Sequence, residues 1–503
     1  MSIADMEKQD LYEKLPDNAE NNILEKDLES SAIQSYDSVM DQEFLARKAM
    51  NIRYMVFVGL GLMLIAMGFV LAPSISELMA GYVIVLTHPS LTDFDGFMWA
   101  GNYGTSFVNA GVLLLSVLMV YKATKTDIEG IQIAAAMVTT GFSFYGKNLI
   151  NIWFPVLGVF MYARYKRREL KEVSALALFS TALAPVFSVT AFATSWLPHG
   201  GFAAVSIGAA LGILSGVLVV VFADYLPSLH KGRVLYNAGF AAGIVGVGMN
   251  SLQRVFSLGH EIYPYVDENF VTGENSLLFF IMLIICMYFI VAGFALGGWE
   301  KFKELVWFRC FGGDFVREFD FESTLINIGF IGLVSCGYVF LTVTGQFNGP
   351  VYACILTAAG FAACGVTIRV FWPTMAGIFV TSFFMGGMDS IIAGGAFLEG
   401  AFARSGSRGM VISAIYSCGI APVVGEFGWV SGFFVGAVHS MLVTKTGAMH
   451  GWRSLYNNAF SLGLIAVFLY PLYVRLRHGH IDRLRQGHIE RKERRKERKS
   501  SGN

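Results

Sequence analysis

Charged side chains are missing from most of this chain. They make up 15% of its 503 residues, where soluble domains carry about 25%, and the shortfall is concentrated. Residues 1–53 hold 12 Asp/Glu and 6 Lys/Arg, and residues 475–503 hold 11 Lys/Arg and 4 Asp/Glu, which leaves 41 charges for the 421 residues of 54–474. The formal net charge of zero is a cancellation between an acidic and a basic tail, and it carries no information about partners. A chain this apolar between charged ends reads as an all-α polytopic membrane protein. That excludes a soluble globular enzyme, a secreted disulfide scaffold and a nucleic-acid-binding domain.

Cysteine is sparse as well. Cys286, Cys310, Cys336, Cys354, Cys364 and Cys418 show no CxxC spacing and have no histidine beside them in a ligand pattern, so no metal, cofactor or disulfide frame is expected. The chain contains no Gly-rich phosphate loop, Walker motif, HExxH or GxSxG, which leaves an ATP-driven pump or a membrane protease without support. The first 50 residues are polar, so no cleavable leader is expected and 54–73 serves as the first retained span.

What the sequence does have is a succession of apolar stretches, near 54–76, 103–121, 128–146, 149–163, 173–194, 201–222, 235–252, 276–297, 323–343, 351–368, 374–387, 408–425, 428–444 and 455–474. Several fall short of the ~20 residues a spanning helix needs, and such segments are tight spans or half-helices that enter and return. Arg164, Lys166, Arg167, Arg168 and Lys171 crowd one loop, and Lys301, Lys303, Arg309 and Arg317 another. The connections 77–102 and 261–275 are acidic. The basic loops and both tails are therefore expected in the cytoplasm and the acidic loops outside.

The chain repeats itself at a long period. Ser106–Gly111 matches Thr324–Gly329 at an offset of 218, and Gly141-Phe142 with Gly146 matches Gly360-Phe361 with Gly365 at 219. Ala184-Pro185-Val186 matches Ala421-Pro422-Val423 at 237. His230-x-x-Arg233-x-Leu235-Tyr236-Asn237-x-x-Phe240-x-x-Gly243 matches the segment from His450 to Gly463 at 220, with seven identities. The jump to 237 and back implies an insertion near 388–407 and a deletion after Pro422. Repeat A is placed at 54–260 and repeat B at 276–474, between an acidic cytoplasmic tail (1–53) and a basic one (475–503). Because repeat A starts inside and repeat B outside, the two are inverted. Each is expected to have five full spans plus one re-entrant or short helical hairpin, 128–163 in A and 351–387 in B. Inverted repeats with broken helices form transporters and channels whose site lies near the midplane, between the repeats.

Candidate functional residues follow from the duplication. Lys147 and Arg369, near the two hairpin tips, read as a pseudo-symmetric basic pair that favours an anionic or strongly polar solute. Asn109 with Asn327, and Asn237 with Asn457, are matched amides able to bind a polar solute or to satisfy backbone at a helix break. Pro185 and Pro422 mark matched helix breaks. Glu426, after the second break, is either a coupling carboxylate or a solvated group on a short turn. His230/Arg233 and His450/Arg453 are expected at the membrane surface, anchored at headgroups, and His439 as a packed histidine.

The paired Leu-Tyr-Asn and Ala-Pro-Val motifs and the Gly-Phe…Gly hairpins resemble a family of uncharacterised bacterial polytopic membrane proteins described by this duplicated unit. That resemblance covers 54–474 and implies a bacterial inner membrane but no activity. A weaker likeness is to urea transporters, which also have inverted repeats and a Leu-Tyr-Gly-Tyr-Asn-Gly segment opening a broken helix. Where they carry an Asn-Pro signature this chain has Asn109-Ala110-Gly111 and Asn327-Ile328-Gly329, so the likeness reaches the architecture alone. The leading expectation is a non-enzymatic permease or channel for a small polar solute, anionic if the two cations act together. The alternatives are a urea-transporter-like channel for a neutral solute and a membrane-embedded enzyme. Expected partners are the bilayer and the solute; a homo-oligomer is allowed, nucleic acid is not.

Overall fold

The chain cannot bury its apolar surface in one soluble core, and the fold spreads it over helices. The computed structural model describes residues 45, 47–89, 97–194, 196–259, 276–309, 312–342 and 347–476. The acidic tail up to residue 44, the basic tail from 477 and the loop 260–275 lie outside the described residues. All regular structure described is helical. Nine of these helices are long and apolar enough to cross a membrane. Two more, Asn237–Val255 and Trp429–Met449, have the length but carry the polar residues that face inward.

Repeat A comprises α1 (Arg47–Leu71), α2 (Ile75–Thr87), α3 (Tyr103–Ala123), α4 (Gly130–Phe142), α5 (Trp153–Tyr165), α6 (Leu170–Ser180), α7 (Ala184–Phe192), α8 (Phe202–Tyr225) and α9 (Asn237–Val255). Repeat B comprises α10 (Ser276–Ala295), α11 (Trp299–Leu305), α12 (Phe321–Thr342), α13 (Gly349–Phe361), α14 (Ile368–Ile392), α15 (Phe397–Ser405), α16 (Arg408–Tyr416), α17 (Ala421–Phe427), α18 (Trp429–Met449) and α19 (Asn457–Leu476). α4–α5 and α13–α14 are the hairpins. α6–α7 and α16–α17 are spans broken in the middle.

Equivalent contacts recur at the sequence offsets. α4 and α13 pack on each other across the repeat boundary, Gly141 against Ala353 and Gly360 against Ala134 and Met137. The end of each helix meets the start of the other, so equivalent helices run in opposite directions. Glycine makes the crossings close. A methyl at Gly216 of α8 would stand 2.0 Å from the Pro155 carbonyl of α5, and one at Gly436 of α18 2.2 Å from the Thr374 carbonyl of α14. The hairpins turn at Gly146 (φ +89°) and Gly365 (φ +105°), in the left-handed region that glycine enters without steric penalty. Thirteen residues at ~1.5 Å each give α4 and α13 about 20 Å, less than the ~30 Å apolar thickness of a bilayer. The inserted residues of repeat B prolong α14 and add α15, which returns against it with Gly386 on Gly400.

An irregular backbone inside a membrane must find partners within the protein, because each unmet group costs several kcal/mol. Both tips meet this need in the same way. Asn109 Nδ2 donates to the carbonyls of Ser143 (2.7 Å) and Lys147 (2.9 Å), and Asn327 Nδ2 to those of Ala362 and Val366 (3.0 Å each). The broken spans are repaired across the repeats. A 3₁₀ turn precedes each proline, at Thr181–Leu183 and Ser417–Ile420, and proline lacks the N–H that would continue the helix. The carbonyl of Ala182 instead accepts from Leu455 N–H, and that of Gly419 from Leu235 N–H, both at 2.9 Å. Each Leu-Tyr-Asn segment thus completes the broken helix of the other repeat.

Candidate functional site

The two Leu-Tyr-Asn segments, the broken helices and the hairpins meet around a central cavity with about 30 Å³ of room for water-sized groups, enough for about two waters. Its wall is made of equivalent pairs. Phe142 and Phe361, Leu235 and Leu455, and Tyr236 and Tyr456 line it. So do Val138 with Thr357, Phe179 with Tyr416, Ala238 with Asn458, and Gly239 with Ala459. Every lining residue has its counterpart in the other repeat, so the cavity lies on the pseudo-twofold axis.

Aromatic pairs bound the cavity toward both ends of the bundle. Phe142 stacks on Tyr416 with centroids 6.1 Å apart, and the equivalent Phe361 stacks on Phe179 at 5.9 Å. Beyond the first pair lies a larger cavity of about 170 Å³. Phe142, Tyr416, Leu455 and Asn458 line both cavities and form the partition between them. The larger cavity reaches Pro350, Gly409 and Thr444, at the first turns of α13 and α16 and near the last turn of α18. It therefore extends toward the end opposite the Arg164–Lys171 loop. The end that bears this loop is termed the basic end; Arg168 pairs there with Asp224 at 2.9 Å.

The basic pair expected from the sequence does not form. Lys147 is fully buried, donates from Nζ to Tyr456 Oη at 2.6 Å, and lies 4.8 and 5.2 Å from the centroids of Tyr456 and Phe142. No carboxylate pairs with it among the described residues. Arg369 is exposed and donates to the Trp307 carbonyl at 3.1 Å. The Asn327 bonds make Val366, not Arg369, the counterpart of Lys147, so the two cations are neither equivalent nor neighbours. Adjacency to paired glycines was a weaker guide than the hydrogen bonds that define the turn.

The other candidates divide by location. Asn109 and Asn327 serve the hairpin tips and line neither cavity. Asn237 donates to the Ala223 carbonyl and meets His230, and Asn457 donates to the Val443 carbonyl and meets His450. Asn457 also lines the larger cavity. Glu426 pairs with Arg233 at 2.7 Å, and the adjacent Gly425 carbonyl accepts from Arg309. His230, His450 and Arg453 are buried rather than anchored at headgroups. Arg453 Nε donates to Gln253 at 2.6 Å, and Gln253 donates to the Val186 carbonyl and Thr190 on α7. Each repeat's arginine thereby holds the second half of the other repeat's broken span, and this inward demand outweighs the pull of the headgroups.

Thr357, Tyr416 and Asn458 were not singled out from the sequence. Their signal is a difference between repeats: at each of these positions repeat A has Val138, Phe179 or Ala238. His439, buried, donates from Nε2 to Asn458 Oδ1 (3.1 Å), with Ser461 Oγ at 2.9 Å from Nδ1. This fixes the Asn458 amide and leaves its NH₂ for the cavity. No group of three His, Cys, Asp or Glu side chains among the described residues is placed to hold a metal.

The fold and the paired cavity define a polytopic membrane protein of two inverted repeats. The chain belongs to DUF1576, a family described as a protein of unknown function, whose model matches residues 74–255 and 300–475. No curated protein and no solved structure matches it.

Proposed function

We propose that this protein is a permease for a small solute, which it binds in the central cavity and releases toward one end or the other past the Phe142–Tyr416 and Phe179–Phe361 pairs. The observation that carries the reading is the composition of the cavity wall: all of its residues form equivalent pairs. A site on the axis of inverted repeats presents the same geometry toward both ends, which is what alternating access needs. The basic end is assigned to the cytoplasm, because the basic loops are placed there by the positive-inside rule. The larger cavity then faces outward. Transport is favoured over catalysis because every wall position recurs in both inverted repeats, so that the cavity lies on the axis between them.

The test uses thiol accessibility. Thr357→Cys places a thiol between the aromatic pairs. A membrane-impermeant maleimide is expected to leave it unlabelled, relative to the parent chain, when both pairs are intact. Adding Phe142→Ala opens labelling from outside, and adding Phe361→Ala opens it from the cytoplasmic side. Equal labelling from both sides in every background overturns the reading.

A further inference from the structure

The two halves of the central cavity are not chemically alike. Where the paired positions differ in polarity, the polar member belongs to repeat B: Thr357 against Val138, Tyr416 against Phe179, Asn458 against Ala238. Thr357 Oγ1 is shielded from solvent, and the Tyr416 hydroxyl is its neighbour. Asn458 is held by His439 so that its amide NH₂ remains available. Two hydroxyls buried in a largely apolar wall cost free energy, and the duplication shows that the fold accepts apolar residues at both positions, since repeat A has Val138 and Phe179 there. No Lys, Arg, Asp or Glu lines the cavity. Lys147 stands behind the wall, with its Nζ on Tyr456.

We infer that the cavity selects an uncharged amphipathic solute of a few heavy atoms, its hydrogen-bonding head against Thr357, Tyr416 and Asn458 and its apolar body against Val138, Phe179 and Ala238. Two hydroxyls and an NH₂ supply donors and acceptors together, which suits an amide or an alcohol. A carboxylate or ammonium head would lose its hydration with no opposite charge in the wall, a cost that hydroxyls do not offset. Net polarity in one half also fixes the orientation of the solute. This inference rests on the permease reading and names the solute class for the same site.

The test reconstitutes the full chain in liposomes and measures the flux of two-carbon solutes that share a chain and differ in head: amide, alcohol, carboxylate and ammonium. Protein-free liposomes give the background. Amide or alcohol flux is expected to exceed that of the matching ions by about tenfold or more. The variant Thr357→Val/Tyr416→Phe/Asn458→Ala gives repeat B the side chains that repeat A already carries, and its melting temperature checks that folding survives the loss of the His439 partner. Its amide flux is expected to fall about tenfold. Protein-mediated flux that favours the carboxylate, or that the triple variant leaves unchanged, overturns the inference and leaves the permease standing. No protein-mediated flux of any of these solutes, together with unchanged thiol labelling in the Phe142→Ala and Phe361→Ala backgrounds, overturns the permease reading itself.

Discussion

Asparagine 109 illustrates how far one side chain's chemistry constrains its role. Both of its amide hydrogens are committed to the carbonyls of Ser143 and Lys147, and Asn327 repeats the arrangement on hairpin B. Leucine at either position fills the space but leaves two buried carbonyls unmet, at about 1–3 kcal/mol apiece. Asn109→Leu and Asn327→Leu are expected to destabilise the protein by about 2–6 kcal/mol in a denaturant titration, without altering which solutes pass. A change in solute preference with unchanged stability would return these residues to the binding site. Arg317 shows the opposite case of a pair at the surface. It donates from Nε to Glu129 at 2.7 Å where hairpin A begins, and Glu129 holds its guanidinium above the ordinary range. At this exposure the pair orients the hairpin more than it stabilises it.

Among the elements, the helix crossings set the rigid frame. α5 crosses α8 at Gly216 and α14 crosses α18 at Gly436, each time against a carbonyl of the partner helix. Backbone cannot yield as a side-chain tip does, so Gly216→Ala and Gly436→Ala are expected to cost about 1–3 kcal/mol each. Gly248, on the exposed face of α9, has nothing within 4 Å of an added methyl. Gly248→Ala is therefore expected to be neutral or stabilising, by up to about 1 kcal/mol. Thermal unfolding in one detergent measures all three. Equal losses at the three sites would mean that the crossings are looser than the structure has them. The broken spans are elements of another kind. Their stability is shared between repeats, because the Leu235 and Leu455 amides each close the helix of the other half.

For the whole molecule, inversion fixes which positions share a side of the membrane. Ala393, exposed beyond α14, lies at the end opposite Arg167. With the basic end in the cytoplasm, Ala393→Cys is expected to react with an impermeant maleimide on intact cells. Arg167→Cys is expected to react only after permeabilisation. The reverse pattern would invert the orientation, and reaction of both from outside would break the inverted arrangement.

The sequence by itself determined the membrane class, the two inverted repeats, the hairpins and the motifs that meet in the middle. Apolar run length, charge bias and residue identities at fixed offsets are local or periodic properties, and these features depend on nothing else. The tertiary structure decided which residues face the cavity. Lys147 is matched with Val366 because Asn109 and Asn327 fix the register of the two turns, which proximity to Gly146 and Gly365 does not reveal. The inward course of Arg453 depends on Gln253 of the other repeat, more than a hundred residues distant, while buried His230 and His450 meet Asn237 and Asn457 of their own repeats. Thr357, Tyr416 and Asn458 became visible as one polar wall only when three separate helices brought them together around the axis. Contacts between distant segments leave no spacing in the sequence, because what joins them is packing across the repeat boundary rather than chain continuity.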